Sequence, residues 1–239
     1  MKIIPLPINT KLTGIIFPTL IYIGKSIYLI DYGYKDSFDL LSVKLSQLKV
    51  EIEDIKAIII THDDIDHLGG LVKFKIKHPS IKIYCGRLEA ESVSGKIKSE
   101  RLLQAESYLL NIKDERWNDA HFFVQLLMNI KRFETDRLLD DGEFIDDEIM
   151  VIHTPGHTKG HISLYIKRLN TLIAGDALVI ENNLFNIANP QYTLDLPSAI
   201  ISIEKIYALK PKKIICYHGG VMEKYVSHKL RSLIKQYNY

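Results

Sequence analysis

Three apolar runs in this chain each lead into a histidine or aspartate, and this arrangement limits the folds that the chain can adopt. The runs and the polar residues that follow them are 56–61 with His62, 172–175 with Asp176, and 214–217 with His218. Short runs rich in branched apolar residues are typical of buried strands. Loops at strand ends can direct several side chains to one place while the strands hold them rigidly. The pattern therefore predicts a sheet-based fold with a polar site where strands end.

The remaining periodicity predicts an alternation of strands and helices. Predicted strands lie within 1–30 and at 56–61, 81–86, 142–156, 161–178 and 212–220, and predicted helices lie at 36–49, 68–77, 197–208 and 222–237. Strand signals are missing between 87 and 140, where two amphipathic patterns predict a helical insert. Mixed sheets whose outer faces are covered by helices accommodate this order of elements.

Composition limits the class of protein. A chain of 239 residues with 46% hydrophobic and 25% charged residues is expected to form one globular domain. A net charge of +2 without a basic stripe argues against a nucleic-acid partner. The absence of an 18-residue apolar run or a signal peptide predicts no membrane association and a cytoplasmic location. Cys85 and Cys216 lie in apolar runs and are expected to be buried thiols in a reducing compartment.

The segment THDDIDHLGG carries the densest set of potential metal ligands. It offers His62, Asp64, Asp66 and His67 within six residues, directly after a predicted buried strand. Imidazole and carboxylate together suit divalent zinc, iron, manganese or cobalt. The structural alternative is a helix start in which Asp66 caps the following helix.

Three further segments place a histidine or aspartate near a predicted strand end. They are TPGHTKGHIS with His157 and His161, LIAGDAL with Asp176, and CYHGG with His218. A carboxylate after an apolar run is costly to bury unless it is paired or bound to a metal. Any one of these histidines is explained by a structural hydrogen bond, but their joint recurrence favours a metal site.

Taken together and in this order, the four segments resemble the metallo-β-lactamase superfamily. The resemblance extends from about Leu29 to Gly220 and includes the segment 189–206, which is similar to a stretch that many hydrolases of the family carry before their last histidine. It implies an α/β fold of the αββα sandwich type, with two mixed β-sheets flanked by helices. The fold would form a single domain over 1–239, with the helical insertion at about 87–140.

The resemblance also implies a role for each polar residue. The first metal ion would be bound by His62, Asp64 and His157, the second by Asp66, His67 and His218, and both by a bridging Asp176. Asp66 and Asp176 would be the catalytic carboxylates. His161 would support a ligand without binding metal, and His153 has no counterpart in the family motif and is interpreted as structural.

Asp64 departs from the family pattern, which usually has a histidine at this position. A carboxylate there adds negative charge and would favour iron or manganese over zinc. The flavodiiron branch of the family also has a carboxylate here, although this chain lacks a flavodoxin-like segment. The alternative is that Asp64 is too short to reach the first ion, so that the first site is weak or empty.

The function implied by the resemblance is that of a binuclear metallohydrolase. Two divalent ions, expected to be zinc with iron or manganese as alternatives, would share a bridging hydroxide that attacks an ester-like bond in a small molecule. Lactones, thioesters, carboxylic esters and phosphoesters are the candidate substrates. Val179 stands where lactonases of the family carry a tyrosine, which argues against a close copy of their site. The alternatives are a diiron redox protein or oxygenase, and a non-catalytic sensor domain.

Substrate-binding residues are less well defined by the sequence. Tyr192 could reach the metal site from its loop or could lie on the surface. Aromatic residues of the insert could form an apolar lid over the metals, namely Trp117, Phe122, Phe123 and Phe133. Alternatively, they attach the insert to the domain or to a second subunit, which makes the insert a candidate homodimer interface.

Overall fold

The computed structural model describes residues 1–188 and 192–237. The strands are β1 (Lys2–Pro5), β2 (Ile8–Thr10), β3 (Gly14–Ile16), β4 (Thr19–Ile23), β5 (Ser26–Ile30), β6 (Ile55–Ile60), β7 (Lys82–Gly86), β8 (Arg137–Leu139), β9 (Phe144–Ile145), β10 (Ile149–His153), β11 (Ile162–Ile166), β12 (Thr171–Gly175), β13 (Val179–Glu181), β14 (Leu184–Asn186), β15 (Lys213–Cys216) and β16 (Gly220–Met222). The helices are α1 (Ser37–Gln47), α2 (Ile65–Leu68), α3 (Leu71–Lys77), α4 (Ala90–Ser94), α5 (Glu100–Asn111), α6 (Trp117–Met128), α7 (Leu196–Ala208) and α8 (Val226–Tyr237). Residues 189–191, the start of the family-like segment 189–206, lie outside the described residues, as do the last two residues of the predicted domain.

Two six-stranded mixed sheets form the centre of the fold. The first has the order β1-β4-β5-β6-β7-β8, with antiparallel pairing up to β5 and parallel pairing from β5 to β8. The second has the order β16-β15-β12-β11-β10-β9, in which only β12 and β15 pair in parallel. Two short hairpins, β2-β3 and β13-β14, are separate from these sheets.

Alternation along β6 shows why the two sheets and the helices form layers. Ala57 and Ile59 lie in a buried cluster that also contains residues of the second sheet, including Val151. Ile58 and Ile60 belong to another cluster, which contains residues of α1 and α3. Successive side chains of a strand point to opposite faces, so one strand supplies both the inter-sheet core and the outer helical layer.

The outer face of the second sheet is covered by α7 and α8. Ile203 and Leu230 from these helices share a buried cluster with Leu172 and Ile214 from the sheet. The Asp195 side chain accepts a hydrogen bond from the backbone N–H of Ser198 at 3.1 Å and so caps α7. The layers are therefore helix, sheet, sheet, helix, and the predicted αββα fold with two mixed sheets is confirmed.

The region between 87 and 140 differs in part from the prediction. Helices α4, α5 and α6 occupy most of it, but β8 follows and pairs in parallel with β7 at the edge of the first sheet. The prediction that strands are absent from the region is therefore wrong at residues 137–139. A strand of three residues is too short to give an alternating pattern, and its pairing with β7 depends on contacts across 53 positions.

Burial agrees with the prediction for the two cysteines. Cys85 and Cys216 are buried free thiols. Within the two described ranges, no helix is long and apolar enough to cross a membrane.

Candidate metal centre

The structure brings the seven predicted ligands together where strands of the two sheets end. His62, Asp64, Asp66 and His67 follow β6 in a short loop and in α2. The other ligands follow strands of the second sheet, with His157 after β10, Asp176 after β12 and His218 after β15. Asp66 lies inside α2 rather than before it, so it is not the cap of that helix. Six of the seven side chains are buried, and the His218 side chain is 24% exposed.

The first predicted group consists of His62, Asp64 and His157. The Oδ2 atom of Asp64 lies 3.0 Å from Nε2 of His157 and 3.5 Å from Nε2 of His62. These three residues offer ligand atoms within 4.8 Å of one another. Asp64, which replaces the usual histidine, therefore reaches the other two ligands of its group.

The second predicted group consists of Asp66, His67 and His218. The Oδ2 atom of Asp66 lies 3.0 Å from Nε2 of His218 and 3.9 Å from Nε2 of His67. Asp176 lies between the groups, because its Oδ2 atom is 3.7 Å from Nε2 of His157 and 3.4 Å from Nε2 of His218. This position suits a carboxylate that is shared by two ions.

The cluster has the properties expected of residues that hold a metal ion. Among the described residues, Nε2 of His62, Nε2 of His67 and Oδ1 of Asp176 are buried and have no hydrogen-bond partner. Buried polar atoms are normally satisfied, so orphaned atoms in one cluster indicate a missing partner. Ligand atoms about 2.0–2.2 Å from one ion lie roughly 3–4 Å apart, which agrees with the separations above. The residues therefore fit one or two divalent ions.

Surrounding hydrogen bonds orient the predicted ligands. The Oδ2 atom of Asp31 lies 2.9 Å from Nδ1 of His67, which directs Nε2 of that ring into the cluster. The backbone N–H of Asp176 donates to Nε2 of His161 at 3.0 Å, and Nδ1 of His161 contacts Oγ1 of Thr154 at 2.8 Å. His161 is thereby occupied on both ring nitrogens and supports Asp176 from behind. His153 lies apart and contacts the Lys159 carbonyl.

Carboxylates surround the two histidines of the second group. Burial disfavours the charged form of His67, but Asp31, Asp176 and Asp66 together raise its pKa well above the ordinary value. Burial likewise opposes the charge on His218, while Asp176 and Asp66 raise its pKa to about 10. Carboxylates that hold protons on neighbouring imidazoles also attract a metal ion, which would displace those protons.

One residue of the site was missed in the sequence. Arg101 of α5 is 2% exposed, and its guanidinium lies against the Asp64 carboxylate. Burial would raise the pKa of Asp64, but Arg101, the hydrogen bond with His157 and the nearby His62 imidazole hold it well below its usual range. The sequence feature that could have revealed Arg101 is the pattern of α5, because Arg101 occupies the same buried face as Leu102 and Ala105.

The insert is also attached to the site by two other buried carboxylates. Nη1 of Arg132 donates to Oδ2 of Asp63 at 3.1 Å. The Thr158 hydroxyl, one residue after His157, donates to the Glu89 carboxylate. The loops that carry the predicted ligands are therefore held by contacts from the insert.

A cavity of about 320 Å³ opens beside the cluster. Its lining includes Asp66, Asp176 and His218, together with apolar side chains from α2, from the insert and from the β13 region, namely Ile65, Phe123, Leu127, Val179 and Ile180. Tyr192 lies at this cavity with 41% of its surface exposed. Of the four predicted lid aromatics, Phe123 lines the cavity, whereas Trp117 and Phe122 are exposed and Phe133 packs on the first sheet's outer cluster.

The layered fold and its buried histidine and aspartate cluster define a metal-binding αββα protein. The family model of the metallo-beta-lactamase superfamily matches residues 13–218, and the chain belongs to this superfamily.

Individual relatives agree with this assignment. The chain is 30% identical to the probable metallo-hydrolase YflN of Bacillus subtilis over 213 residues, which cover 81% of this chain and 75% of that protein. It is 27% identical to the human acyl-coenzyme A thioesterase MBLAC2 over 124 residues, covering 50% of this chain and 40% of the human protein. The structure of the metallo-beta-lactamase family protein TTHA1429 from Thermus thermophilus superposes with a TM-score of 0.76 at 20% identity, covering 98% of this chain and 79% of that protein. At that identity the likeness supports the fold alone.

Proposed function

We propose that this protein is a metal-dependent hydrolase that cleaves an ester-like bond to an apolar acyl group in a small molecule. The observation that carries the proposal is the convergence of four histidines and three aspartates in one buried cluster. Buried carboxylates and imidazoles without partners are costly, so separate structural roles do not explain the set. Membership of a family whose relatives include named metallo-hydrolases supports the same function.

The proposed ligands form two centres around a shared carboxylate. The first centre comprises His62, Asp64 and His157, the second comprises Asp66, His67 and His218, and Asp176 belongs to both. We propose zinc as the ion. Asp64 was the one feature that favoured an iron redox centre, and its carboxylate is engaged by a guanidinium. A divalent ion bound here would lower the pKa of its bound water to about 7, so that hydroxide is available at neutral pH.

The protein's own carboxylates would direct the proton and the attacking water. Asp66 faces the cavity, where its side chain can orient the water and accept a proton from it. As the water oxygen bonds to the acyl carbon, the bond to the leaving sulfur or oxygen breaks. The proton then passes from Asp66 to that leaving atom, and the products are a carboxylic acid and a thiol or alcohol.

The cavity supports an apolar acyl group as the recognised part of the substrate. Phe123 and Leu127 from the insert line the same space as Val179 and Ile180, and this space opens onto the cluster. Apolar pockets with a few converging polar groups are typical binding sites for small organic ligands. The partial similarity to a protein named as an acyl-coenzyme A thioesterase supports a thioester among the candidate bonds.

The charges around the cavity do not favour a phosphoester. Among the described residues that line the cavity, Arg101 is the only lysine or arginine side chain. Its Nε and Nη2 hydrogens are directed at Asp64 and at the carbonyl oxygen of Tyr192. A phosphoryl group would therefore find few free donors beside the cluster.

The first test is hydrolysis before and after metal removal. Thioesters and p-nitrophenyl esters would be assayed with the purified protein, with the protein after chelation, and after zinc is restored. We expect activity to be lost on chelation and regained with zinc. We also expect Asp66→Asn to lower kcat by about 10²-fold or more, since general base catalysis contributes that much, with the exposed Asp36→Asn as its control. Unchanged turnover after complete metal removal would contradict the proposal.

Substitution of two neighbouring phenylalanines tests the preference for an apolar acyl group. Phe123 lines the cavity, whereas Phe122 is 60% exposed. We expect Phe123→Ala to lower kcat/KM for an octanoyl thioester by about tenfold, because several buried methylene contacts are lost, while leaving the acetyl thioester little changed. Phe122→Ala should match the wild type for both. An equal loss for both acyl lengths would argue that Phe123 supports the fold and does not bind the acyl chain.

A further inference from the structure

Arg101 has an unusual position for an arginine in an insert helix. Its Nε donates to Oδ1 of Asp64 at 3.1 Å, and its Nη2 donates to Oδ2 of the same carboxylate at 2.9 Å. Nη2 also donates to the carbonyl oxygen of Tyr192 at 2.6 Å, and Nη1 donates to Oε1 of Gln104 at 2.8 Å. The guanidinium is therefore fixed on three sides, with both oxygens of Asp64 engaged.

The same Asp64 atom is the one that the first centre would use. Oδ2 of Asp64 lies 3.0 Å from Nε2 of His157, and Nη2 of Arg101 lies 3.4 Å from that nitrogen. A fixed positive charge thus borders the ligand atoms of the first centre. A divalent ion placed among them would be repelled by the guanidinium and would have to share its carboxylate.

The second centre differs in the groups that contact its carboxylate. Asp66 is contacted by the imidazoles of His218 and His67, and both of these side chains are proposed ligands of that centre. Asp64 is contacted in addition by a guanidinium, which has no acceptor atom for a metal ion and keeps its charge at neutral pH. The first centre therefore contains a permanent positive charge that cannot serve as a ligand.

We propose that Arg101 is a built-in cation of the first centre, which makes the two metal sites unequal. One ion binds first and tightly at Asp66, His67 and His218, with Asp176 as a further ligand. The first centre takes an ion only at much higher metal concentration, and until then Arg101 supplies the positive charge beside His62 and His157. This inference rests on the metal dependence proposed above.

A titration of the metal-free protein with zinc tests the inference. Binding would be measured by calorimetry and by competition with a chromophoric chelator, for the wild type, for Arg101→Gln and for the control Arg116→Gln. Arg116 is a suitable control because its side chain is 65% exposed and is paired with Asp114 near the surface. The Gln variant keeps hydrogen-bonding capacity at position 101 and removes the charge.

For the wild type we expect one tight zinc and a second that binds at least about tenfold more weakly, as one fixed charge beside the ion requires. Arg101→Gln should strengthen the second binding constant at least about tenfold, and Arg116→Gln should leave both constants unchanged. Two equivalent sites in the wild type would overturn the inference, as would an unchanged second constant in Arg101→Gln. A purely structural arginine would alter stability without this selective change in the second constant.

Removal of Arg101 leaves a buried carboxylate without its partner, which could prevent folding. The double variant Arg101→Gln with Asp64→His avoids this problem, and we expect it to bind two ions tightly. If the double variant folds and still binds only one ion tightly, the inference is wrong while the metal-dependent function stands. If neither the wild type nor any variant binds zinc, the proposed function fails and the inference fails with it.

Discussion

At the scale of single residues, Asp31 shows how a side chain outside the predicted ligand set can control the metal centre. Its carboxylate lies 2.9 Å from Nδ1 of His67 and also accepts hydrogen bonds from the backbone and hydroxyl of Thr61. It therefore fixes the ring so that Nε2 points into the cluster. Carboxylates in this position raise the basicity of a histidine ligand and hold its tautomer.

We predict that Asp31→Asn weakens zinc binding at the tighter site by about 10- to 100-fold, the range typical for loss of such a partner. The asparagine keeps the shape of the side chain and removes the charge that favours the required tautomer. Competition with a chelator would measure the change, with the exposed Asp36→Asn as control. Zinc affinity equal to that of the wild type would show that Asp31 does not orient His67.

Gly175 has a backbone conformation and surroundings that disfavour any side chain at this position. It has a φ of 55° and precedes Asp176, and a Cβ atom built on it would lie 2.7 Å from Nε2 of His161. Gly24 has the same φ of 55°, but its Cβ would meet nothing within 4 Å. The two glycines therefore share the same backbone strain and differ in steric contact.

We predict that Gly24→Ala lowers the free energy of unfolding by about 1 kcal/mol, the cost of a left-handed alanine. Gly175→Ala should cost about 1–3 kcal/mol more, because the added methyl displaces His161 from its bond to the Asp176 backbone. Chemical denaturation of both variants without metal measures the difference. Equal losses would mean that His161 moves aside at no cost.

At the scale of elements, the insert is fixed to the ligand loops by buried acidic groups. Burial raises the pKa of Glu89 well above its usual range, and the neighbouring Asp63 raises it further. The folded protein therefore keeps the Glu89 proton at a pH where the unfolded chain releases it. This group stabilises the fold fully below about pH 4.5, and its contribution is lost as the pH rises toward the folded pKa.

We predict that Glu89→Gln, which cannot ionise, gains stability relative to the wild type as the pH rises from 5 to 8. The gain should be about 1 kcal/mol or more, which corresponds to one pKa unit. The free energy of unfolding at both pH values would be measured beside Glu91→Gln, whose side chain is exposed. A pH-independent difference between Glu89→Gln and the wild type would show that the carboxyl is ionised in the fold.

Local patterns explain how much of the elements could be predicted. The strand β6, the helix α7 and the strands β11 and β12 depend on neighbours in the sequence, and all of them were predicted. Strand β8 was missed because its three residues are defined by pairing with β7 and not by their own pattern. Short elements that rely on tertiary contacts leave little periodic signal.

The residues of the candidate site likewise include some that could be predicted from the sequence and one that could not. The histidines and aspartates after β6, β12 and β15 could be located because strands position the loops at their ends. Arg101 could not be placed, because its partner Asp64 lies 37 positions away and the contact depends on how α5 packs over the cluster. The resemblance to the family motifs indicated the ligands, but it gave no information about the positive charge of Arg101 beside them.

At the scale of the whole molecule, two mixed sheets pack against each other and bring their ligand-bearing loops together, and the insert covers these loops with an apolar wall and an arginine. The two sheets supply different members of each predicted centre, since His62 follows the first sheet and His157 follows the second. A bound ion would therefore connect the two halves of the sandwich. We expect metal to stabilise the complete fold as well as to support catalysis.

An anomalous diffraction map of crystals grown with zinc, measured at the zinc absorption edge, would show whether the cluster binds metal. We expect a strong peak about 2.0–2.2 Å from Nε2 of His67, Nε2 of His218 and the Asp66 carboxylate, the usual zinc–ligand distances. A weaker peak between His62 and His157, or none, is expected beside Arg101. A cluster without any anomalous peak, or ions bound only elsewhere, would contradict the assignment of these residues as a metal centre.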